Sequence, residues 1–216
     1  MVKISKYAKY GEYAKTIEIL SRLTKNKYKP KPVDEFDEPK QKGETRNITG
    51  ILKFFGFNRW EVKYLKGHNE VIPHEICHVI DSISSYKQTS LKKGFREIAE
   101  SYKDGFIDYE KRKYRMLYPP VIDEILYQTR HAECFARLLN NWAYQTGLID
   151  MPPIQDSDGD DFAREYYLEN KEKIDKYFNE LFADEIAEII EDGLVDNFAY
   201  EASKLTELSE TNNLSL

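Results

Sequence analysis

Ile72-Pro-His-Glu-Ile-Cys-His-Val-Ile-Asp-Ser-Ile83 is the stretch that decides how this chain folds. Ile72, Ile76, Val79, Ile80 and Ile83 recur at helical spacing and form one apolar stripe. Pro73 suits a first helical turn, where its missing N–H does no harm. At about 100° per residue, His74, His78 and Asp81 gather on the face away from that stripe. Two imidazoles one turn apart can bind a single Zn²⁺, and Glu75 between them is placed to act on a water there. Asp81, a turn further on, can accept the second ring N–H of a ligating histidine and fix its tautomer. The competing reading is an ordinary amphipathic helix with a polar outer face.

A zinc hydrolase needs a third protein ligand and an open fourth position. The candidate lies in Tyr127-Gln-Thr-Arg-His-Ala-Glu133-Cys-Phe-Ala-Arg137. Ala132, Phe135, Ala136, Leu139, Trp142 and Ala143 again space as a helix, with Gly147 as its stop. Glu133 lies beside that stripe and could face a metal, with Arg137 one turn later orienting its carboxylate. A surface Glu133–Arg137 pair fits the spacing equally well, and His131 is a rival third ligand.

The motif H-E-I-C-H-V-I-D, followed some fifty residues later by Y-x5-E-x-F-A-R, resembles the Glu-zincin metallopeptidases. It is most similar to the zincin-like domains of phage and conjugative-element polyvalent proteins, and more distantly to the catalytic domain of anthrax lethal factor. The likeness covers residues 69–86 and 127–143. It implies His74, His78 and Glu133 as zinc ligands, Glu75 as general base, Asp81 and Arg137 as their supports, and Tyr127 as donor to the oxyanion. Two departures stand out: Cys77 where those families often carry glycine, and Leu-Leu-Asn-Asn after Arg137 instead of Ala-Phe. The implied fold is α+β, predominantly helical and zincin-like, with a small sheet. The implied activity is zinc-dependent hydrolysis of peptide bonds in a peptide or protein substrate. The alternative is a catalytically silent binding or inhibitor module of a phage or mobile element, acting on a host protein or a nucleic-acid-associated partner. An intact Glu75 weighs against it.

Composition sets the outer bounds. At 216 residues, with 41% hydrophobic and 13% aromatic content, the chain can build a core, as one domain with or without an appended segment. No window approaches a membrane span, and Met1-Val-Lys-Ile-Ser-Lys6 lacks the apolar stretch of a secretory leader. Cys77 and Cys134 make no disulfide framework, which suits a reducing cytoplasm, the host's if the chain is phage-encoded. Both read as buried packing residues, with a thiolate ligand as the lesser reading. Residues 150–216 hold 19 acidic against 5 basic residues, a net of −14, leaving +8 on residues 1–149. The expected division is a basic core over 1–149 and an acidic helical extension over 150–216 docked on it. The sharper alternatives are a lid or a mimic of nucleic-acid phosphate, but no nucleic-acid-binding motif accompanies the basic 92–115 face.

The remaining chain reads as a helix over 7–24, a polar loop from Lys29-Pro-Lys-Pro32 to Gly43, and a short helix from Ile48 to Gly56. Arg59 to Lys66 alternates as a strand, expected at a sheet edge and so a candidate ledge for extended substrate. Residues 90–117 read as one or two helices with Leu91, Phe95, Ile98, Ala99 and Tyr102 inward. Pro119-Pro120 and Pro152-Pro153 punctuate loops. The acidic run 156–161 reads as a helix cap, because a calcium loop would want glutamate where Tyr167 stands. Helix then continues to about residue 208.

Overall fold

The computed structural model describes residues 6–25, 28–37, 41–48, 60–83, 88–114, 119–155 and 157–195. It is mostly helical with one small sheet, the α+β class expected. Strands β1 (Tyr28–Val33), β2 (Gly43–Asn47) and β3 (Trp60–Leu65) lie in the order β1-β3-β2. β3 runs parallel to β1 and antiparallel to β2, so it is the central strand and not the expected edge. A strand paired on both sides has no free ladder to offer a substrate, which removes the ledge assigned to it. Val62 and Tyr64 are its buried positions, as the alternation implies.

The expected loop over 29–43 is the source of that difference. Its first half is β1, disguised by prolines. Pro30 and Pro32 sit two apart, so both missing N–H groups fall on one side of the strand. On an outer strand that side needs no partner, and Pro with Lys there also discourages edge-to-edge pairing.

The helices are α1 (Ala14–Leu23), α2 (Ile72–Ile83), α3 (Lys93–Lys113), α4 (Pro119–Gln128), α5 (His131–Gln145), α6 (Asp158–Glu169), α7 (Lys171–Leu181) and α8 (Ala183–Glu191). α2 is the hub, packed against the sheet, α1 and α5. Its expected apolar stripe is buried at Ile72, Ile76, Val79 and Ile80. On α3, Phe95, Ile98, Ala99 and Tyr102 face inward as expected, but Leu91 is 48% exposed. Leu91 belongs to a separate 3-10 turn, Thr89–Leu91, and so falls off the helical stripe. Pro119 and Pro120 open α4 where a loop was expected; the first turn is where proline is tolerated. Gly147 ends α5 with φ of 77°, and the Ile149 amide donates back to the Ala143 carbonyl. Ser157 caps α6 by accepting from the Asp160 amide, with Asp158, Asp160 and Asp161 in the first turn, as the acidic run implies.

The acidic segment shares the core. α6 and α7 pack on α3 and α5, and α8 packs on α1. Trp142 and Phe135 of α5 meet Phe178 of α7 with ring centroids 5.4 and 5.5 Å apart. Arg22–Asp192 and Lys25–Glu185 ion pairs close the surface above α8. The expected helix over 48–56 and the end of the C-terminal helix lie outside the described residues. Among the described residues, no helix is long and apolar enough to cross a membrane.

Candidate metal centre

One turn of α2 separates His74 from His78, and both rings project toward α5. Their Nε2 atoms lie 3.2 Å apart. Glu133, in the first turn of α5, brings one carboxylate oxygen 3.5 Å from His74 Nε2 and the other 3.4 Å from His78 Nε2. One ligand atom from each residue can be chosen with all three within 4.8 Å of one another, close enough to converge on one cation. His74, His78 and Glu133 are the group among the described residues that could hold a metal ion. His131 starts α5 two residues earlier and stands outside the group, its buried Nδ1 without a hydrogen-bond partner. Cys77 and Cys134 are fully buried and unpaired; burial pushes both thiols up, away from the thiolate a metal would need.

Glu133 and the two histidines are coupled through charge. Burial alone would raise the Glu133 carboxyl, but hydrogen bonds and charge from His74 and His78 hold it well below the carboxylate range. Burial would lower His78, yet its bond to Glu133 and the charges of Glu133, Glu75 and Asp81 raise it.

Arg137 and Asp81 stand behind the three donors. Arg137 Nη1 lies 3.3 Å from Glu133 Oε2, and Nε donates to Asp160 Oδ1 at 2.8 Å. With Arg137 7% and Glu133 8% exposed, this is no surface pair. Asp81 is fully buried, but its oxygens accept from the Ser90 amide at 2.6 Å and the Ser90 hydroxyl at 2.8 Å. The ring N–H bond expected from His78 is thus replaced by Ser90, and Asp81 acts on His78 through its charge.

A cavity of about 950 Å³ opens over the donors. Glu75 and Tyr127 line it together with His74 and Glu133. Glu75 is held by β2: the Thr45 hydroxyl lies 2.7 Å from Glu75 Oε2 and 2.8 Å from its carbonyl oxygen, one proton shared between two acceptors. At Gly43 the strand comes so close that a Cβ would sit 2.6 Å from Glu75 Oε1. The Tyr127 ring is 43% exposed at the mouth, while its hydroxyl end is buried toward Glu133; that burial and the Glu133 charge raise its pKa.

Sequence reading missed Gly43, Thr45, Ser157 and Asp160. Gly43 and Thr45 lie on a strand of which only Gly43 was read, as the end of a loop, 30 or more positions from Glu75. The acidic run did flag Asp160, but only as a cap. No protein-family model matches the chain, and comparisons with curated proteins and with solved structures found no match either.

Proposed function

We propose that this chain is a zinc-dependent metallopeptidase of the Glu-zincin kind, with His74, His78 and Glu133 as ligands and Glu75 as general base. The observation that carries the reading is the convergence of those three donors within 4.8 Å of one another, with the Glu75 carboxylate pinned at the same cavity. Two imidazoles and one carboxylate are also the donor set of catalytic zinc sites that keep a position open. Bound zinc would supply Lewis acidity, lowering the pKa of a water and polarising a carbonyl.

The protein's own groups account for the rest. Glu75 takes a proton from the attacking water on the oxygen not engaged by Thr45, then delivers it to the leaving amine. Tyr127 donates its hydroxyl hydrogen to the oxyanion, and its raised pKa keeps that hydrogen in place. Among the described residues, no further strand lies beyond β2 in the sheet, and Gln41, Lys42 and Gly43 at its start line the cavity. That edge, not β3, is where an extended peptide would add as a strand.

The test is zinc content by mass spectrometry on protein purified without added metal, followed by a peptide-library digest with Glu75→Gln as control. About one zinc per chain and cleavage lost in Glu75→Gln is the expected result. Full zinc with no cleavage of any peptide would make the chain a zinc-bearing binding module, and no zinc after reconstitution would reduce the motif to a helix face.

A further inference from the structure

The acidic segment reaches the metal centre through one carboxylate. α6 turns Asp160 inward, where Oδ1 accepts from Arg137 Nε at 2.8 Å while Arg137 Nη1 lies 3.3 Å from Glu133 Oε2. Asp160 Oδ2 accepts from the Ser157 hydroxyl at 2.6 Å, so both of its oxygens are used. Beside it a Cβ on Gly159 would stand 2.3 Å from Gln128 Oε1 and 3.3 Å from Arg137 Cζ, so the glycine leaves room for the Gln128 amide and the guanidinium. We infer that Asp160 is a positioning residue for the metal ligand Glu133, acting through Arg137, so that the C-terminal acidic segment completes the metal site; this rests on the metal reading above.

The sign of the effect follows from charge. Arg137 is buried against a ligand of a cation, and its charge opposes that cation. Asp160 neutralises it and draws Nε away from Glu133. Without the Asp160 charge, the guanidinium competes for the Glu133 carboxylate and adds uncompensated positive charge beside the ion. Both consequences weaken metal binding. Docking of α6 does not depend on Asp160 alone, since the Tyr102 hydroxyl donates to the Gly159 carbonyl at 3.2 Å and Phe162 packs on the Tyr102 ring.

The experiment is competition with a chromophoric chelator on the full-length protein, giving zinc Kd for wild type, Asp160→Asn, Ser157→Ala and the double variant Arg137→Gln with Asp160→Asn. Melting of the metal-free forms and the visible spectrum of the Co²⁺ forms are recorded alongside. Asp160→Asn is expected to weaken zinc by about 10–100-fold and to change the Co²⁺ bands, with Ser157→Ala smaller in the same direction. The double variant, which removes one charge of each sign, is expected to bind more tightly than Asp160→Asn alone. If Asp160→Asn lowers the melting temperature but leaves zinc Kd within twofold, Asp160 only docks the helix and the inference is overturned. If Asp160→Asn fails to fold, Ser157→Ala decides: unchanged affinity and Co²⁺ spectrum overturn the inference. Wild type that binds no zinc overturns the metal reading itself, an outcome separate from either.

Discussion

Two walls face each other across the cavity, and each is backed by an aspartate, Asp81 fully buried and Asp160 half-buried, that is held differently. Behind the α2 wall, Asp81 is held by the amide and hydroxyl of Ser90, both neutral donors. Behind the α5–α6 wall, Asp160 is held by the Arg137 guanidinium and the Ser157 hydroxyl. Burial raises the Asp81 carboxyl, and the two Ser90 bonds offset this only in part. Burial pushes Asp160 the same way, but the Arg137 charge and the two side-chain bonds bring it below the usual carboxylate value. The contrast is one of charge: the donors to Asp81 are neutral, whereas Asp160 has a guanidinium beside it.

The most severe way to break the comparison is to remove the ligand of the second wall. Glu133→Ala leaves both histidines in place on α2, and zinc is expected to fall from about one per chain to near zero by mass spectrometry. Retained zinc would mean that the first wall binds metal without the second, with His131 as the ligand to test next. A gentler change on the first wall spares the ligands. The Cβ of Gly43→Ala would meet Glu75 Oε1 at 2.6 Å and its Cγ at 2.8 Å, both too close for contact. Displacing the Glu75 side chain by an ångström is expected to cut peptide hydrolysis by about 10²-fold while zinc content stays at the wild-type level. Equal loss of zinc and hydrolysis would mean instead that β2 holds the whole of α2.

How much of this was legible beforehand follows the same division. The α2 motif, the α5 helix with its Gly147 stop, and the acidic cap of α6 were readable because each is written in neighbouring residues at a fixed period. The sheet was only partly readable. β3 alternates cleanly, but nothing local distinguishes a central strand from an edge, since that depends on what pairs beside it. β1 hid behind Pro30 and Pro32, whose turn chemistry outweighs any strand signal when no partner is known. Pro119-Pro120 misled in the opposite direction, because the same residues that end a helix are also accepted in its first turn. The Ser90 support of Asp81 and the Thr45 support of Glu75 come from 9 and 30 positions away, on segments with no motif. Spacing supplied the His74–Glu75–His78 face and left Glu133 open beside a surface pair with Arg137, and it carried no sign of what holds these side chains.

Smaller effects sharpen the contrast between the aspartates. Ser90→Ala removes the hydroxyl donor to Asp81 Oδ2 and leaves the amide. A buried carboxylate deprived of one of its bonds is expected to cost about 1–3 kcal/mol. At roughly 2–4 °C per kcal/mol for a chain of this size, the drop is readable by calorimetry. An unchanged melting temperature would show that Asp81 needs no second donor and that the walls differ less than their partners suggest.

The smallest expected effect comes from a carboxylate that neither solution serves. Glu110 of α3 is 2% exposed, and its Oε1 has no hydrogen-bond partner. Burial raises its pKa, the Asp158 charge adds to that, and Lys113 opposes both. The folded protein therefore holds the proton more tightly than the unfolded chain does. The stability linked to this group is fully present below the ordinary glutamate pKa and is lost as pH rises through the raised folded value. Glu110→Gln, neutral at every pH, keeps that stability where the wild type has lost it. It should melt higher than wild type at pH 7 and no higher below the ordinary glutamate range. A lower melting temperature at pH 7 would mean that the ionised Glu110 is paired in solution, on the side of Asp160 and not of Asp81.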